Sequence, residues 1–121
     1  MKQELTDAQE SWIQALESGK YNQGNSVLNR DNNFCCLGVA CDLHKENLTV
    51  TQPSEAKAVW YDGDNCYAPE YIVGKLGLID NVGESNDVDL KSLTVLNDEG
   101  KSFAEIAEIL RSNPECYLIS G

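Results

Sequence analysis

Residues Asn33–Leu43 read NFCCLGVACDL, eleven consecutive positions with a single charge, in a chain whose formal net charge is −11. Each large apolar side chain in such a run stabilises the folded state by roughly 1.5–3 kcal/mol when buried, so this segment belongs at the centre of whatever the chain builds. Cys36, Val39, Ala40 and Leu43 follow i, i+3, i+4, i+7 spacing, which predicts a buried helix with Asn32 or Asn33 as its cap. Gly38 inside that helix costs about 1 kcal/mol relative to alanine, and so implies a close backbone approach by a first helix or by a sheet.

The flanking segments read as short elements. Thr6 with Gln9 has the form of a capping box, Trp12, Ile13 and Leu16 recur at helical spacing, and Gly19 supplies a stop. From Lys20 to Phe34, two β-prone pieces, around Tyr21 and around Val27 and Leu28, alternate with Gly and Asn and predict one or two hairpins. Leu48–Gln52 and Val59–Tyr61 read as strands. Pro69 opens a helix closed by Gly77, and Ile79–Asp89 reads as a polar loop. Leu90, Leu93, Val95 and Leu96 begin a fourth helix that Asn97–Gly100 ends. Ser102 and Glu105 form a second capping box before the apolar face of Phe103, Ile106, Ala107, Ile109 and Leu110, a helix that ends before Pro114. The expectation is an α+β single domain over 1–121, with four or five short helices packed on a small antiparallel sheet.

Charge narrows the function. Nine Lys and Arg face 20 Asp and Glu and do not gather in sequence, which opposes nucleic acid and anionic membranes and favours docking onto a basic protein surface. The N-terminal segment has no apolar signal core, and no apolar run approaches the roughly 18–20 residues of a membrane span, so the expected location is inside a cell. In a reducing compartment the five cysteines are free thiols, and the sequon at Asn47–Thr49 is coincidental.

Cys35 or Cys36 at a helix N-terminus is the place for a lowered thiol pKa. The sole histidine, His44, lies about two turns along the same helix, roughly 12 Å in rise from Cys36, beyond proton-transfer reach. Buried structural cysteines therefore explain the segment better than a Cys/His hydrolase. The Cys35, Cys36, Cys41 and His44 spacing fits no usual zinc set, and Ile79–Asp89 lacks the order of a calcium loop. Neither cofactor nor metal is expected. The loops around the central helix supply the ligand- or partner-binding candidates: Tyr21, Gln23, Arg30, Trp60, Tyr67, Asn97 and Asp98. With 20 acidic residues, carboxylate pairs carry little weight by themselves.

The ordered set YNQGNSVL, FCCLGVACDL, Trp60, YAPEYIVGKLGL and LTVLNDEGKSFAEIAEIL resembles a family of small bacteriophage and prophage proteins that share these motifs. The resemblance spans Lys20 to Leu110, about three quarters of the chain, and brings no enzymatic activity or defined site with it. What it implies is an accessory, counter-defence protein in the host cytoplasm that inhibits or sequesters a host factor, either an immune protein or its nucleotide signal. A nucleotide ligand requires cations such as Lys20, Arg30, Lys75, Lys101 or Arg111 to converge with aromatics. The other readings are a small cysteine- or carboxylate-dependent hydrolase acting on a nucleotide or protein, and a virion component. A homo-oligomer is a further expectation, because apolar patches on a short chain pair with copies of themselves.

Overall fold

The structure is a computed structural model that describes residues 4–53, 55 and 57–118. Among them the chain forms an α+β domain of six α-helices and two small sheets around one apolar core. Helix α1 (Asp7–Glu17) opens on the expected capping box, with Thr6 and Gln9 satisfying each other's backbone N–H groups, and Gly19 beyond its end has φ +75°. Its apolar stripe buries Trp12, Ile13 and Leu16.

Strands β1 (Asn22–Gln23), β2 (Asn29–Arg30) and β3 (Asn33–Phe34) pair in the order β1-β3-β2. The β2–β3 hairpin is antiparallel and turns through Asp31 and Asn32, both at positive φ, whereas β1 lies parallel to β3. A parallel neighbour requires the chain to loop back across residues 24–28, a connection that local alternation does not reveal. Strands β4 (Val50–Thr51) and β5 (Trp60–Tyr61) form the second, antiparallel sheet. The segment leading into β5 joins the two, since Ala58 bridges Arg30 and Val59 donates to the Asn29 carbonyl.

Helix α2 (Cys36–Leu43) is the charge-poor segment, and its residues Cys36 to Cys41 are all buried. Its cap is Cys35 rather than Asn32 or Asn33. The Cys35 thiol accepts from the Gly38 N–H at 3.4 Å, while Asn32 is consumed by the β2–β3 turn and Asn33 by β3. Of the two neighbours foreseen for Gly38, the sheet side is the one present: an alanine Cβ there would stand 1.7 Å from the Leu28 carbonyl oxygen.

Three further connections lock α2 and its surroundings. The Trp12 indole donates to the Cys36 carbonyl at 2.9 Å, fixing α1 against α2. The buried Gln9 amide donates to the Leu76 carbonyl, fixing α1 against α3 (Glu70–Leu76), which Gly77 ends in the left-handed conformation. Helix α4 (Leu93–Asp98) starts three residues later than Leu90, capped by Ser92, and α5 (Phe103–Ser112) carries the second capping box and buries Phe103, Ile106, Ala107 and Leu110. A one-turn helix α6 (Pro114–Tyr117) follows, its Tyr117 hydroxyl donating to the Lys91 carbonyl at 2.6 Å. Among the described residues no helix is long and apolar enough to cross a membrane.

Candidate functional site

The buried cysteines are held in their neutral form. Burial, reinforced by the charge of Asp98, pushes the Cys35 thiol up to about 11, and Cys36 and Cys41 are likewise raised by burial. The helix N-terminus that favours a thiolate is here outweighed by loss of water. His44 closes the other end of α2 as its C-cap, packs against the Tyr71 ring at 6.1 Å, and is shifted down by burial and by Lys75. Neither the thiols nor the imidazole has the setting of a nucleophile or its base.

Of the seven candidates expected on loops, only Tyr21 and Tyr67 lie on them; Gln23, Arg30 and Trp60 sit in β1, β2 and β5, and Asn97 and Asp98 in the last turn of α4, which runs past the expected stop at Asn97. Asn97 is 2% exposed and acts as a hub: its Oδ1 accepts from the Cys36 N–H and the Gln23 amide, and its Nδ2 donates to the Gly24 carbonyl at 2.8 Å. Gln23 also donates to the Lys101 carbonyl at 2.6 Å and accepts from the Phe103 N–H. The two amides thus clamp β1, α2, α4 and α5 together, which makes them positioning groups of the fold rather than free ligand contacts. The Tyr21 hydroxyl is similarly engaged, donating to Asp42 at 2.6 Å while its ring meets Phe34 edge-on. Trp60 is half-buried in β5 opposite Thr51. Arg30 lines a shallow groove of about 270 Å³ with Gln23, Asp31 and Asn33, distant in sequence from the remaining pair.

That pair, Tyr67 and Asp98, is brought together. They line a cleft of about 370 Å³ with Ser26, Cys35, Cys66, Val82 and Thr94. Its construction is local and specific. Leu28 donates to the Asn65 carbonyl at 2.8 Å and accepts from the Cys35 N–H at 3.3 Å, setting the 64–67 loop beside the start of α2. Asp64 Oδ1 accepts from the N–H groups of Cys66 and Tyr67, which turns that loop and leaves Tyr67 49% exposed. Ser26, in the left-handed region at φ +69°, is held by its N–H donating to Asp98 Oδ1 at 2.9 Å.

A second cleft, about 680 Å³, adjoins the first and was not among the sequence expectations. Asp62, Asp64, Glu70 and Asp80 line it, with Val73 and Pro69. The Ala68 N–H donates to the Asn81 carbonyl at 3.0 Å; both residues line this cleft, and their chain neighbours Tyr67 and Val82 line the first. Thr49 N–H holds Asp62, and the N–H groups of Val82 and Glu84 hold Asp80. Among the described residues the ion pairs use other acids: Asp31, Asp42, Glu10, Glu17, Glu99 and Glu105. Among the described residues, none of the five carboxylates lining the two clefts has a cation within salt-bridge distance.

These features define a small acidic α+β domain with two neighbouring clefts, one lined by four carboxylates and the other by one, and a neutral cysteine core. The chain belongs to the family described as Domain of unknown function (DUF8296), whose model matches residues 1–114. No curated protein and no solved structure matches the chain.

Proposed function

We propose that this protein is a non-enzymatic binding protein that occupies a basic surface of a protein partner. The observation that carries the reading is the set of five carboxylates, Asp62, Asp64, Glu70 and Asp80 in one cleft and Asp98 in its neighbour, that form no ion pair among the described residues. Uncompensated charge of one sign costs folding stability through self-repulsion, and that cost is relieved when a cationic surface docks. Tyr67, half exposed in the lining of the smaller cleft, supplies the aromatic anchor that protein interfaces favour.

A protein partner is favoured over a nucleotide because the cations point elsewhere. Arg111 is bound by Glu10 and Glu17, Lys101 lies 3.9 Å from Glu105, Arg30 and Lys20 line two separate grooves, and Lys75 stands by His44. In the setting that the family resemblance implies, the partner is a host protein in the host cytoplasm, a defence enzyme whose nucleic-acid surface is basic, and the chain is a phage-encoded inhibitor. A cysteine-dependent hydrolase gains no support from thiols that burial holds neutral.

The test is affinity capture from bacterial lysate with the wild-type protein and with a Glu70→Gln/Asp80→Asn/Asp98→Asn variant, which keeps every backbone hydrogen bond to an Asp Oδ1. The expected result is a basic protein retained by the wild type, eluted by salt, and lost from the variant. Equal retention by both proteins, or salt-independent retention, contradicts the proposal.

A further inference from the structure

We infer that the cleft between Tyr67 and Asp98 is a socket for one arginine side chain of the partner, an inference that rests on the proposed docking of a basic protein. Its volume, about 370 Å³, lies at the low end of the range of small-ligand sites and suits a single long side chain rather than a folded segment.

The lining matches a guanidinium on a flexible stem. Val82, Cys35 and Cys66 give apolar or weakly polar walls for the methylenes. Asp98 is the one carboxylate of the lining, and Ser26 occupies only its Oδ1, so Oδ2 carries no ion pair or hydrogen bond among the described residues. Ser26 and Thr94 line the same space, and each carries a hydroxyl that can accept, that of Thr94 beside the Ser92 hydroxyl at 3.3 Å, while the exposed Tyr67 ring offers a face for stacking. A planar group with five donors satisfies a carboxylate oxygen and two hydroxyls at once and stacks on an aromatic ring. The compact ammonium of lysine, with three donors and no plane, uses less of this lining. Ser26 is held at positive φ by the same Asp98 carboxylate, so the rim is already in place before a ligand arrives.

The test is a titration of ¹⁵N-labelled protein with N-acetyl-arginine amide, followed by backbone amide shifts, beside N-acetyl-citrulline amide, which is nearly isosteric but uncharged. Arginine is expected to shift Ser26, Tyr67, Thr94 and Asp98 with saturation, citrulline to bind at least about tenfold more weakly, and Asp98→Asn to weaken arginine by a similar factor. The variant keeps the acceptor for Ser26, and the wild-type comparison of the two compounds stands even if the variant fails to fold. Equal effects of arginine and citrulline, no shifts at the socket, or full retention in Asp98→Asn overturns the inference. Shifts confined to Asp62, Glu70 and Asp80 overturn the socket while leaving the acidic docking surface standing. Loss of salt-sensitive partner capture, with arginine still bound at the socket, removes the docking proposal instead.

Discussion

Replacing Gly38 with alanine should destabilise the protein, although alanine is the better helix former by about 1 kcal/mol. The added Cβ would lie 1.7 Å from the Leu28 carbonyl oxygen and 2.6 Å from its carbon, both backbone atoms. Opening the first contact to 3.0 Å, below which real Cβ contacts essentially do not occur, moves Leu28 or α2 by about 1.3 Å. Leu28 cannot retreat freely, because it donates to the Asn65 carbonyl and accepts from the Cys35 N–H. Overpacking of this kind costs about 1–3 kcal/mol, and weakening two backbone hydrogen bonds costs about 1 kcal/mol each. Against the propensity gain, the net expectation is a loss of about 2–4 kcal/mol. For a chain of 121 residues this lowers Tm by roughly 8–16 °C. Thermal unfolding followed by circular dichroism measures it. Gly74→Ala in α3 is the matched control: nothing beyond its chain neighbours and its own helix backbone lies within 4 Å of the added Cβ, so it should raise Tm by about 2–4 °C. A Gly38→Ala protein as stable as the wild type would refute the tight seating of α2 on the Leu28 backbone.

Asn97→Ala should cost about 3 kcal/mol in urea unfolding, since it leaves the Gly24 carbonyl, the Cys36 N–H and the Gln23 amide without their common partner. Hydrogen bonding to Arg111 holds the carboxyls of Glu10 and Glu17 below the ordinary carboxylate range, so their contribution is present above pH 4.5 and is lost as pH falls further. Because all three side chains are over a third exposed, Arg111→Met should cost at most about 1 kcal/mol at neutral pH, less in high salt, with a shallower acid limb in a pH series of unfolding midpoints. Iodoacetamide at pH 7.5 should modify the partly exposed Cys66 and Cys116 first, with Cys35, Cys36 and Cys41 reacting only on unfolding, a pattern that peptide mass mapping reads directly.

How far the chain reveals its own fold depends on the distance over which each signal acts. The capping boxes at Thr6 and Ser102 and the stop at Gly77 are contacts over three or four residues, and each appears where the residues predict it. The α2 cap is different, because a β-hairpin claims Asn32 and Asn33 and leaves the thiol of Cys35 to take their place. The parallel β1–β3 pair and the Asn97 hub join residues as much as 74 apart in sequence, and in Asn97–Gly100 a buried amide looks the same as a turn residue. The acidic cleft was hidden for a simpler reason. With 20 acidic residues in the chain, nothing local marks Asp62, Asp64, Glu70 and Asp80 as neighbours until the Ala68–Asn81 backbone contact joins two segments. Tyr67 was legible as an aromatic loop residue, whereas Asp98, expected in a turn, closes α4, and nothing local marks the two as lining one cleft.

Hydrogen–deuterium exchange of the protein, alone and with the partner captured from lysate, tests the docking surface most directly. The account predicts slowed exchange in residues 64–70, 80–82 and 94–98, the segments that build the two clefts. Protection confined instead to the Arg30 groove, or to the outer faces of α1 and α5, would contradict it.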